Sequence, residues 1–281
     1  MCVCLAYKNF YVKSISEEPE SVLKIEPITK IENKDNIYIP TLLYHNIIKD
    51  NTSSIDGVNI TSKTFELHIK GLLDNGFNPI SISDYCNYVN GEVELPNNPI
   101  IITFDDGYLS NYELAFPILQ EYNVPATIFI VTSTVGEDMN GGKVNTPHFT
   151  WEHAKEMENS NLIEIHSHSH THKKMSDLSE EDLEYEMKTS KDLIQSKLNK
   201  EEVVFAYPYG GYNDFTLRKG NELGFILQVL VEDNDFRGKY LAVNSDNKLE
   251  HFTRVSVDGD MTVEDLLESI KKSIELSEKF T

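Results

Sequence analysis

The stretch NPIIITFDD, residues 98–106, decides how the fold is read. Ile100, Ile101, Ile102 and Thr103 are β-branched in succession, and Phe104 extends the run. A continuous run without polar alternation suits a strand buried on both faces, as in a parallel sheet. The run then stops on two carboxylates and a glycine, Asp105, Asp106 and Gly107.

Further candidate strands lie on both sides, several of them continuous, β-branched runs. They are IPTLLYH (39–45), PATIFIV (125–131), LIEIHSH (162–168), VVFAYP (203–208), FILQVLV (225–231) and FTRVSV (252–257). Helical patterns fall between them. Residues 62–75 place Phe65, Ile69, Leu72 and Leu73 on one face, with Gly76 as a stop. Residues 109–122 carry Leu114, Ile118 and Leu119, with a kink expected at Pro117. Residues 179–198 start at Ser179 as N-cap and carry Leu183, Met187, Ile194 and Leu198. Residues 262–276 carry Leu266, Leu267, Ile270 and Ile274. Strand and helix alternate, so the class is α/β with a parallel sheet. Periodicity does not separate a barrel from an open sheet. In a barrel, chemistry gathers where strands end. His45, Asp105-Asp106, His168 and Tyr207-Pro208-Tyr209-Gly210 all stand at expected strand ends.

Residues 8–37 are polar and acidic, and 1–37 read as a lead-in; residues 38–281 read as one domain. The apolar start, Met1 to Tyr7, is too short for a signal peptide. Two readings stand: the tail of a longer signal or anchor, which puts the protein outside the cell or on its surface, or a frayed cytoplasmic terminus. Cys2, Cys4 and Cys86 form no disulfide framework. The net charge of −21 repels a phosphate backbone, which sets nucleic acid aside as a partner. A neutral glycan is compatible with that surface, and a monomer is expected.

Two adjacent carboxylates at the end of a buried strand repel each other, and a cation or proton must relieve them. One can hold a metal while the other takes a proton. The run EIHSHSHTH, residues 164–172, adds histidines at 166, 168, 170 and 172. Neutral imidazole is a common metal ligand. Two histidines and one carboxylate make a site with open positions for water and a substrate carbonyl. Together the clusters describe metal-assisted hydrolysis of an amide or ester.

TFDDG followed by this histidine run resembles the polysaccharide deacetylases, the NodB-type carbohydrate esterases, over most of the chain from Pro40 on. The resemblance implies a single distorted (β/α) barrel of about seven strands that removes N-acetyl groups from a polysaccharide containing N-acetylglucosamine. It implies one divalent metal ion, zinc before nickel, cobalt or iron. In its terms Asp105 is the general base, and Asp106, His168 and His172 are the ligands. His166 stands where the family usually has glycine, so His166 and His170 are left as contacts around the site. FAYPYGGY, residues 205–212, resembles a third family motif, in which the backbone N–H of Tyr209 stabilises an oxyanion, with Tyr207 and Pro208 beside it. Many members carry an arginine where this chain has Ala206; Arg254 is the candidate substitute. A C-terminal histidine serves many members as general acid, and His251 lacks its context. LLYHNI, residues 42–47, resembles the branch acting on poly-β-1,6-N-acetylglucosamine, and it makes His45 the candidate acid. Tyr44, Tyr207, Tyr209, Tyr212 and Trp151 are candidates to line a sugar groove. The rival readings are a binding module that keeps the fold without the activity and a metal-dependent hydrolase of small amides.

Overall fold

The computed structural model describes residues 39–50, 57–137, 146–231 and 254–278. The lead-in with Cys2 and Cys4, the first two residues of FTRVSV, and His251 lie outside them.

The strands are β1 (Thr41–Tyr44), β2 (Asn46–Ile48), β3 (Asn59–Thr61), β4 (Asn78–Ile80), β5 (Pro99–Phe104), β6 (Ala126–Ile130), β7 (Ile163–Ser167), β8 (Phe205–Ala206), β9 (Gln228–Val229) and β10 (Val255–Ser256). The helices are α1 (Ser62–Asp74), α2 (Ile82–Val89), α3 (Phe116–Tyr122), α4 (Trp151–Asn159), α5 (Glu180–Leu198), α6 (Asp214–Glu222) and α7 (Val263–Glu278). The main sheet runs β10-β1-β5-β6-β7-β8-β9, all parallel, with β4 also on β5. Each of the seven strands expected from the sequence is on that path. The sheet curls into a half-barrel, in keeping with the distorted barrel that the resemblance implies. Ile101 pairs with Thr41 of β1 and with Ile80 of β4, so β4 and β1 flank opposite edges of β5. β6 takes over further along, at Thr103 and Phe104.

Strand alternation sorts the side chains. Ile100, Ile102 and Phe104 join the larger core, under α1, α3, α4, α5 and α7. Ile101 belongs to a second cluster with Ile39, Phe129, Val204, Ala206, Leu227 and Val229, on the inner face of the curl. By the same alternation Thr103 and Asp105 face inward.

Helices α2, α4 and α6 stand where no helix was expected. The short α2 has poor formers, yet Ile82, Tyr85, Cys86 and Val89 are buried against the inner cluster. Burying an Ile or Val side chain contributes roughly 1.5–3 kcal/mol, against propensity losses of about 0.7 kcal/mol or less per residue. Packing therefore decides, and a capping box of Ser81 with Asp84 sets the start. The 109–122 segment splits at Pro117: a π-helical turn, Asn111–Ala115, precedes α3, and Pro117 occupies its first turn.

Candidate active site

β5 ends on Asp105, directed inward and 1% exposed. The chain then turns through two left-handed residues, Asp106 (φ 72°) and Gly107 (φ 79°). A Cβ on Gly107 would lie 3.0 Å from Ile130 of the neighbouring strand, so the turn excludes larger residues. It carries the Asp106 carboxylate across the strand ends toward β7. There His168 and His172 meet it, with Asp106 Oδ1 3.7 Å from His168 Nε2 and 3.3 Å from His172 Nε2. The candidate ligand atoms of the three residues all lie within 4.8 Å of one another. Among the described residues no other group of His, Cys, Asp and Glu converges this way.

The histidine tautomer follows from its surroundings. His168 Nδ1 donates to the Ala206 carbonyl at 2.9 Å, which leaves the Nε2 lone pair facing Asp106. Burial, then His168, pushes the His172 imidazole below its ordinary value, while Asp106 and Asp105 work the other way. Two imidazole nitrogens beside one carboxylate oxygen suit a divalent transition metal such as zinc. The donor set therefore fits a cation, held by Asp106, His168 and His172.

Asp105 is fixed from below. Arg254, fully buried and directly before β10, donates to Oδ1 at 2.6 Å and to Oδ2 at 2.7 Å. The guanidinium also reaches Thr103 Oγ1 and the Leu230 carbonyl, both at 3.2 Å, and lies 5.2 Å from the Phe129 ring centre. Burial alone would raise the Asp105 carboxyl; Arg254, His168 and His45 override it and hold it well below the usual carboxylate range. Oδ2 also lies 3.6 Å from His168 Nε2, so Asp105 borders the cluster on its inner side.

His45 follows β1 at the same mouth. Burial lowers its imidazole, Asp105 and Asp106 raise it, and Arg254 and His168 lower it further. Its carbonyl accepts from Asn111 Nδ2 at 2.7 Å. Tyr209 follows β8 with φ 57°; the residue is 70% exposed, and its ring lies 4.6 Å from that of His172.

The other expected residues go elsewhere. His166 is buried one layer below His168: its Nδ1 accepts the Val204 N–H at 3.2 Å, and its Nε2 is 3.6 Å from Glu164 Oε2. His170 turns to Thr132 Oγ1, 3.0 Å from its Nδ1, and meets the Tyr185 ring edge-on. Of the groove candidates, Tyr44 and Tyr207 are fully buried in the helix-covered core, Tyr44 against His68 and Tyr207 against Gln228. Trp151 and Tyr212 are partly buried against that core. Pro208 is buried at the start of the Tyr209 turn.

Two residues near the site were missed. Burial and the nearby Asp106 carboxylate push the Tyr108 hydroxyl above its ordinary value, and its ring stacks on His148. Its place directly after Asp-Asp-Gly was the available signal. Glu186 on α5 grips the turn that carries His172; its signal was a carboxylate within an apolar helical stripe.

The backbone marks the same place. Among the described residues, the non-glycine residues with positive φ are Asn98, Asn123, Asn161 and Asn199, and also Asp106, Ser169, His172 and Tyr209. Asparagine tolerates that region well. Every other member of the set stands at the candidate site, where strain of order 1–3 kcal/mol per residue is held by the surroundings.

A family model described as polysaccharide deacetylase matches residues 92–227. A poly-beta-1,6-N-acetyl-D-glucosamine N-deacetylase of Staphylococcus aureus (strain MRSA252) is 30% identical over 258 residues, 82% of this chain and 86% of that protein. A Bacillus subtilis protein, YxkH, named provisionally as a polysaccharide deacetylase, is 31% identical over 194 residues, 69% of this chain; the match spans only 64% of that protein's length. The structure of the Streptococcus pyogenes deacetylase PplD in complex with acetate shares the fold, with a TM-score of 0.68, 24% identity, and coverage of 84% of this chain and 99% of that one. Likeness of sequence spread over most of both chains, on a shared half-barrel, is likeness by descent: the chain belongs to the polysaccharide deacetylase family.

Proposed function

We propose that the protein is a metal-dependent N-deacetylase of a polymer of N-acetylglucosamine, with β-1,6 linkages preferred. The observation that carries this reading is the convergence of Asp106, His168 and His172 beside an Asp105 locked by Arg254. The linkage rests on the name of the S. aureus relative.

A divalent cation at Asp106, His168 and His172 supplies Lewis acidity, polarising the acetyl carbonyl and making water a better proton donor. Asp105 takes the proton of the attacking water. Arg254 engages each of its oxygens once, and the side of Oδ2 nearest His168 remains directed at the cluster. The Tyr209 N–H donates to the oxygen that becomes negative as the carbonyl carbon turns tetrahedral. His45 delivers a proton to the departing amine. Arg254 does for the base what the family's usual arginine does from the position of Ala206; the methyl of Ala206 leaves that space on the inner face free.

Acetate release from β-1,6-linked and β-1,4-linked oligomers and from peptidoglycan, with metal content measured on the same samples, tests the proposal. Fastest release from the β-1,6-linked oligomers, with one metal per chain, is expected. Asp105→Asn should retain the metal and slow turnover about 10²–10⁴-fold. Equal or faster release from peptidoglycan overturns the linkage. Near-normal turnover in Asp105→Asn overturns the base.

A further inference from the structure

α5 presents Leu183, Met187 and Ile194 to the core, yet two polar side chains stand inside that stripe, Glu186 and Ser190, both fully buried. A buried carboxylate is tolerated only when hydrogen bonds answer its oxygens. Those of Glu186 are answered by one turn of chain. Oε2 accepts the Thr171 N–H at 2.7 Å and the His170 N–H at 3.1 Å. Oε1 accepts the Thr171 hydroxyl and lies 3.5 Å from Lys173 Nζ. One helical turn on, Ser190 Oγ meets Ser167 Oγ at 2.7 Å and donates to the Met187 carbonyl. Ser167 Oγ accepts the Ser169 N–H, and Ser169 Oγ accepts the His172 N–H at 3.0 Å.

The turn needs such a grip. It enters through Ser169 at φ 68° and leaves through His172 at φ 59°, two conformations that do not persist unless neighbours over-determine them. The two peptide N–H groups held by Glu186 lie between them. We propose that Glu186 is a positioning residue for the metal centre: it fixes the Ser169–Lys173 turn so that His172 Nε2 stands beside Asp106 before any cation arrives. The inference rests on the reading of Asp106, His168 and His172 as metal ligands. Its physical content is preorganisation, since a turn that must be ordered on binding lowers affinity by the cost of ordering it.

The test uses the full chain with Glu186→Ala, Glu186→Gln and Thr171→Val. Zinc affinity is measured by chelator competition, and amide hydrogen exchange is measured on the metal-free protein. Glu186→Ala should bind zinc about 10-fold more weakly or worse, the range for losing a supporting partner of a ligand. Its amides at 170–172 should exchange faster while those of β5 and β6 keep their protection. Glu186→Gln should recover most of the affinity, because an amide oxygen can accept both N–H groups and its NH₂ can donate to the Thr171 hydroxyl. Thr171→Val removes one bond and should show a smaller loss in the same direction. A folded Glu186→Ala with wild-type affinity and exchange overturns the inference, as does a Glu186→Gln no better than Glu186→Ala. Should Glu186→Ala not fold, an unchanged Thr171→Val overturns it. A wild-type protein that binds no zinc defeats the metal reading instead. The exchange rates then decide the positioning role alone.

Discussion

His168 and His172 stand four residues apart, and so do His166 and His170, yet only the first pair converges on Asp106. The two pairs are interleaved in one run and share their chemistry, so the difference lies in backbone and depth. His166 and His168 both face into the curl, but two residues along a strand is a step of about 6.6 Å. That step puts His166 among Phe129 and Val204, where its Nδ1 must be unprotonated to accept the Val204 N–H. Burial keeps that imidazole below its ordinary value. His170 leaves the line of the strand because Ser169 adopts a left-handed conformation, and His172 returns to it through another. Spacing in sequence thus names two equivalent pairs; two left-handed residues and one layer of depth choose between them.

The comparison can be broken most severely at the ligands. His168→Ala and His172→Ala should each bring metal content and turnover to background, whereas His166→Ala and His170→Ala should keep both. Metal retained by His168→Ala, or lost by His170→Ala, would reverse the assignment of the pairs.

Arg254→Met comes next. It leaves the Asp105 charge buried without its partner, a change costing about 3–5 kcal/mol, readable by urea denaturation. The pH dependence follows from the sign of the shift. Asp105 is held below its unfolded value of about 3.9, so its stabilising contribution is fully present above that pH and is lost as pH falls through the depressed folded value. With Arg254 gone, burial is opposed only by the histidines, and the carboxyl should take up its proton at higher pH. The acid limb of stability should therefore move upward. An unmoved acid limb would show that Arg254 does not set the state of Asp105.

His166→Ala strands the buried Val204 N–H and should cost about 1–3 kcal/mol with zinc affinity unchanged. His170→Ala, near the surface, should stay within about 0.5 kcal/mol of wild type. If His166→Ala weakens zinc binding as much as it weakens folding, the inner layer is coupled to the site and the division of the pairs is less sharp than the geometry makes it.

Much of this was legible before any coordinates. Continuous β-branched runs announced several strands of the main path, because burial on both faces leaves no room for polar alternation, while LIEIHSH and FTRVSV carry polar residues among the apolar ones. Asp105 and Asp106 announced themselves through the strain of two carboxylates at a buried strand end. Less legible were α2 and α6, whose short, polar or poorly propensive stretches become helical through packing and caps that act only in the folded chain. Tyr44 and Tyr207 read equally well as groove or core, since alternation assigns faces but not which face holds the sugar. Arg254 could be suspected because Ala206 left the family's arginine missing; its pairing with Asp105 required knowing that β10 lies beside β1.

The left-handed residues at the mouth carry a consequence for anyone who evolves this enzyme. Selection for folded yield alone rewards glycine or asparagine at Ser169, His172 and Tyr209, because either residue adopts a positive φ with less strain. On the proposed mechanism a library sorted by solubility or heat resistance would lose a ligand when His172 is exchanged, while Tyr209, whose backbone N–H glycine and asparagine retain, could change with the oxyanion donor intact. A screen that preserves the proposed function must therefore count acetate, not survivors.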